Sequence, residues 1–146
     1  MSTVQRGLSA RGRQRRYALR VLFEVDINRS SVGEVLEGKR QVGGGEPGEF
    51  TIALVEGVQA HKEGLDRLIS SYAEGWEIGR MPLVDRNILR MALFELFYME
   101  DVPTGPTIDE AVELAKVFST EDSGKFINGV LGKINRDREA GKLQVP

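Results

Sequence analysis

Arginine is the residue whose number and spacing could do chemistry in this chain. Arg6, Arg11, Arg13, Arg15, Arg16 and Arg20 fall within the first 20 residues, and no acid interrupts them. Guanidinium groups are planar and permanently charged; they bind phosphate oxygens in pairs and stack on aromatic faces. The other 14 of the 20 Lys and Arg residues share the remainder of the chain with all 22 acids, so the net charge of −2 hides a basic arm on an acidic body. That division draws a polyanion to one place while the body repels it elsewhere.

No catalytic constellation competes with the arginines. The chain has no cysteine, which excludes disulfides, thiol catalysis and Cys-based zinc sites. His61 is the only histidine and falls on the apolar side of a helical pattern, which reads as a packed or half-exposed ring without partners for a triad or a zinc site. The Ser123–Lys125 "SGK" lacks the upstream glycine of a phosphate-binding loop and follows no strand. The "GGGEPG" run also follows no strand and reads as a linker. Acid pairs such as Asp109/Glu110 and Glu121/Asp122 stand at helix starts, where they suit the helix dipole. The expectation is a protein that is not an enzyme and takes no cofactor and no metal.

Helices must position whatever the arginines do, because apolar residues recur at three- and four-residue intervals and strand-like alternation is nowhere sustained. A first helix is predicted over residues 13–28, with Ala18, Val21, Leu22 and Val25 as its apolar stripe. "SVGE" at Ser31 is a capping box that opens a short second helix, and "GKRQVGGGEPGE" reads as a loop. A long third helix is predicted over 50–73. It is interrupted by "EGWEIGRMPL", where Trp76 is expected as a large apolar anchor and Pro82 as the first turn of the next helix. Residues 83–99 are apolar almost all round and read as a buried central helix. "TIDE" at Thr107 reads as a second capping box, a last helix restarts near Asp122, and the tail after Arg136 reads as frayed. The fold class is all-α, about seven helices, in two subdomains of about residues 1–76 and 77–140.

On a helical wheel centred on Ala18, Arg13, Arg16 and Arg20 fall opposite the apolar stripe, with Phe23 and Tyr17 on their flanks. Arg11 and Arg15 fall toward the apolar side, so they read as the end of a flexible arm. A solvated charged face is the ordinary reading of such a helix. It is weakened here because the charges share one sign, and like charges at helical spacing destabilise an isolated helix. A basic helix flanked by aromatics suits phosphate contacts with base stacking, the way single-stranded RNA is commonly held.

Three segments carry a resemblance to a known family: the arginine-rich start running into "RYALRVLFEVD"; "GWEIGRMPLVDRNILRMALFELFYMEDVP"; and "TIDEAVELAKVFSTEDSGKFINGVLGKI". In their order and spacing they resemble the NusB family of bacterial transcription antitermination factors. The resemblance implies two packed three-helix bundles and no catalysis. It implies binding to the boxA element of nascent ribosomal-operon RNA together with NusE, a small-subunit ribosomal protein, within an antitermination complex on RNA polymerase. It maps the arginine-rich motif to Arg11, Arg13, Arg15, Arg16 and Arg20, and a second RNA-contacting region to Phe118, Asp122, Lys125 and Phe126. It maps protein-partner contacts to Phe23 and Asp85. Read from the residues alone, Phe118 and Phe126 equally fit core packing, and Asp122 equally fits an N-cap.

Two other readings stay open at this point. NusB-like helical domains also precede the methyltransferase domain of ribosomal RNA cytosine methylases, and a dimerising scaffold could turn its arginines on its own acidic body. A homodimer fits either the scaffold or an RNA binder. No apolar run approaches the roughly 20 residues that span a bilayer, and no signal-peptide core follows the N-terminal charge, so the expected location is cytoplasmic.

Overall fold

The computed structural model describes residues 10–41 and 46–146, which leaves Arg6 and part of the glycine run outside the described residues. Among them are six α-helices and no strand: α1 (Ala10–Asn28), α2 (Val32–Gln41), α3 (Glu49–Tyr72), α4 (Leu83–Tyr98), α5 (Thr104–Phe118) and α6 (Glu121–Glu139), with a 3-10 turn at Ile78–Arg80. No helix among the described residues is long and apolar enough to cross a membrane. Two compact units divide the chain, Met1–Glu56 and Gly57–Pro146. The division falls inside α3, whereas the sequence pattern puts it at the break after Trp76.

In the first unit, α1 buries Ala18, Leu19, Val21, Leu22 and Val25, α2 adds Val35 and Leu36, and the start of α3 adds Leu54 and Val55. Arg29 takes a positive φ of 54°, which turns the chain out of α1. Ser31 then accepts the Glu34 amide at 3.1 Å, the expected cap. The α2 helix runs on through Gly38, Lys39 and Arg40, residues that the sequence places in a loop. Lys39 bridges back to Glu24 of α1 at 3.0 Å. The start of α3 is tied to α1 by one glutamine. Gln14 accepts the Thr51 amide through its side chain (3.3 Å) and the Thr51 hydroxyl through its backbone carbonyl (2.8 Å). One orphan amide of the new helix is thereby satisfied. Gly48 makes room for this, since a Cβ there would lie 2.4 Å from the Gln14 Oε1.

The second unit is organised around α4, which buries ten of its residues, among them Asp85, Asn87, Arg90 and Glu95. A buried polar group must find a partner, and three of these side chains find theirs on three different helices. Asp85 accepts the Ser123 hydroxyl of α6 at 2.7 Å. Arg90 grips Asp66 of α3 with two nitrogens, at 2.7 and 2.9 Å, and Asn87 supports it at 3.1 Å. Glu95 lies 3.3 Å from the Thr107 hydroxyl of α5. Thr107 is thus interior to α5 and is not its cap. The helix opens three residues earlier, at Thr104 after Pro103, and Pro106 in the first turn lacks only an amide that has no helical partner there.

His61 is half-buried, stacked 4.2 Å from Tyr98, which stacks in turn on Phe94 at 5.1 Å. The α6 helix continues to Glu139, and the residues beyond it are held as well: the Tyr98 hydroxyl donates to the Pro146 carbonyl. The frayed tail expected after Arg136 is therefore absent. The Tyr72 hydroxyl donates to Asp137, a hydrogen bond that holds the phenol proton on and raises its pKa above the ordinary 10.0, with burial and the carboxylate charge adding to the effect.

Arg90→Met, which strands Asp66, should cost about 3 kcal/mol and lower the melting temperature by roughly 10 °C, read by calorimetry. Replacing both partners with apolar residues should recover part of that loss. Because the Tyr72 pKa is raised on folding, its contribution is fully present below the unfolded pKa and is lost as pH rises through the folded one. The stability difference between the parent and Tyr72→Phe, read by denaturant titration, should therefore hold up to about pH 10 and shrink progressively above it.

Candidate nucleic-acid interface

The basic face is built on α1. Arg13 and Arg20 are exposed and Arg16 is half-buried, in keeping with the wheel. Arg11 and Arg15 are not the end of an arm. The helix begins at Ala10, Arg11 is half-buried and Arg15 is only 3% exposed. Both guanidinium carbons sit 5.2 Å from the centroid of the Phe50 ring at the start of α3. A cation over an aromatic face is attracted to its quadrupole. Phe50 thus converts two arginines that would repel each other along a bare helix into ordered side chains. The sequence pattern gives residue 50 only as the start of the third helix and misses this function, because only the fold brings it to residues 11 and 15.

Farther along α1, Phe23 is 36% exposed and Ile27 is 55% exposed. They lie one turn apart on the same side, an apolar strip following the arginines. The wheel also places Ile27 opposite the apolar stripe, a signal in the pattern that the sequence reading leaves out.

The start of α6 forms a separate cluster in the second unit. Thr120, not Asp122, is the N-cap: its hydroxyl accepts the Ser123 amide at 2.9 Å. Ser123 lies 3.0 Å from both the Ser119 and Thr120 hydroxyls and donates to Asp85. Asp85 itself is 4% exposed, so it stands beneath this turn and not on the surface. Gly124 is buried because Lys116 of α5 crosses it, 3.1 Å from where a Cβ would be. That close approach is what the glycine of "SGK" serves. Glu121 and Asp122 place two carboxylates in the first turn, which makes the helix start a poor phosphate cradle. Asp122 and Lys125 are exposed, and Phe118 and Phe126 are half-buried. Trp76, expected as a large apolar anchor, is 50% exposed, its ring 5.7 Å from that of Phe126 and tilted by 45°. Among the described residues no group of His, Cys, Asp and Glu could hold a metal ion.

An arginine face on the first helix and an aromatic–lysine cluster at the start of the last define a small helical binding protein. Comparison with known proteins gives the family. A model described as the NusB family matches residues 12–136. The transcription antitermination protein NusB of Arthrobacter sp. (strain FB24) is 43% identical over 129 residues, covering 88% of this chain and 95% of that protein. The structure of T. maritima NusB superimposes with a TM-score of 0.79 at 34% identity, covering 92% of this chain and 99% of that one. A NusB solved with NusE in complex with dsRNA gives a TM-score of 0.76 at 28% identity, covering 88% of this chain and 98% of that one. The chain belongs to the NusB family, and like its relatives it is a transcription antitermination factor, a regulatory protein and not an enzyme.

Phe50→Leu keeps the apolar bulk but removes the ring face. It should cost about 1–2 kcal/mol for the two cation–π contacts, measured by urea denaturation, whereas Phe50→Tyr should stay within about 0.5 kcal/mol of the parent.

Proposed function

We propose that this chain binds single-stranded boxA RNA of ribosomal RNA operons together with NusE, as a cytoplasmic factor in an antitermination complex that lets RNA polymerase read through terminators. The observation that carries this reading is the arginine-rich first half of α1, where five arginines are ordered within a single helix, Arg13, Arg16 and Arg20 on one side of it and Arg11 and Arg15 against Phe50. Arg13 and Arg20 are exposed, Arg11 and Arg16 are half-buried, and Arg15 is buried. Lys125 and Phe126, with Asp122 and Phe118 beside them, form the second proposed contact. The solved NusB that carries NusE and dsRNA supports the same pairing of partners.

Phe23 and Ile27 are the proposed face for NusE, since neighbouring exposed apolar side chains mark protein contacts. Asp85 bears on that partner only through the turn of α6 that it anchors. About four phosphates neutralised on single-stranded RNA give a log–log salt slope near −3. The test is a titration of boxA RNA and a scrambled control, with and without NusE, at several salt concentrations. Preference for boxA, strengthened by NusE, is the expected result. Equal binding of both RNAs in every condition, or an affinity indifferent to salt, refutes it. Arg13→Glu with Arg20→Glu should weaken both RNAs by more than about tenfold while leaving the fold intact.

A further inference from the structure

Trp76 has no structural task that accounts for its size. Ala73 and Met81 on either side of it in the chain are 3% and 2% exposed, while Trp76 is 50% exposed. Gly75, with a φ of 77°, turns the chain at this point, and the Trp76 amide donates to the Ala73 carbonyl at 3.1 Å. The ring is thus carried by a turn that closes on its own backbone hydrogen bond. The ring beside it is Phe126 of α6, so two aromatic side chains from different elements form a single tilted platform. Ser70, Ala73 and Gly75 line an open depression against the indole.

We infer that Trp76 stacks an unpaired base of the bound RNA and extends the platform begun by Phe126. The inference rests on the RNA-binding reading above. The surroundings favour a base over an apolar protein segment. Glu74, Gly75, Glu77 and Gly79 flank the ring together with the half-buried Ile78, so two carboxylates break up the apolar area around it. A stacked base requires one flat face, which an indole supplies at any base identity. The carboxylates of Glu74 and Glu77 disfavour a phosphate here but accept from base amino groups, as acidic side chains do from cytosine. Lys125, exposed and one residue before Phe126 on α6, belongs to the second RNA contact proposed above.

The protein contains a single tryptophan, so its fluorescence reports this site alone. Labelled RNA is titrated with the full chain while anisotropy and tryptophan emission are followed together. The expected result is saturable quenching with the same midpoint as the anisotropy, an affinity loss of about tenfold in Trp76→Ala, and a loss below about threefold in Trp76→Phe. Circular dichroism checks that both variants remain helical, and NusE binding should be unchanged in both. RNA that binds with unaltered emission and equal affinity for Trp76→Ala overturns the stacking role and leaves the RNA reading standing. Emission that responds to NusE alone, with Trp76→Ala losing NusE and not RNA, also overturns it and assigns the ring to the protein partner. An anisotropy that never rises refutes RNA binding itself, and the stacking role falls with it.

Discussion

A helix enclosed by other helices has no solvent to hydrate its polar side chains, and α4 meets that constraint by committing three of them to three different neighbours. Asp85 reaches α6, Arg90 reaches α3 and Glu95 meets Thr107 of α5. Apolar packing is non-directional and tolerates sliding. Hydrogen bonds to a buried carboxylate or guanidinium do not, because a misplaced partner leaves an unsatisfied charge. Three such pairs at three heights along one helix fix rotation and register of all three neighbours, while the apolar residues between them supply the driving force.

The functional clusters inherit their order from pairings of this kind. Ser123 is held by Asp85, and with it the turn that carries Asp122, Lys125 and Phe126. In the first unit the equivalent anchor is Gln14, which receives α3 and so delivers Phe50 to Arg11 and Arg15. Like charges along α1 would otherwise oppose the helix. The preorganisation limits how much side-chain freedom a phosphate ligand must remove, because part of that entropy is already lost on folding.

The sequence is most legible where one helix settles its own structure. The boundaries of α3 and α4, the Ser31 cap and the exposed position of Phe23 all follow from local spacing. The all-helical class follows from the same periodicity, and the family from three long segments. The errors share a cause. Arg11 and Arg15 read as an arm because the ring that orders them belongs to another helix, far along the chain. "TIDE" has the composition of a capping box, but Pro103 and Glu95 draw the helix start upstream and turn Thr107 inward. Size and apolarity make Trp76 read as an anchor, yet the turn at Gly75 leaves it at the surface. The glycine of "SGK" answers to Lys116, a contact no linear motif encodes.

Gly57 carries a consequence for how the chain acquires its shape. A Cβ at this position would lie 2.1 Å from the Phe94 ring, so α3 must accept a glycine in its interior. Glycine costs a helix about 1 kcal/mol relative to alanine, and Gly64 repeats that cost two turns later. An isolated α3 is accordingly a poor helix despite its length. Its helicity is conditional on the rings of α4 closing over it, so the formation of this helix and the burial of α4 belong to one cooperative folding event and not to two in succession.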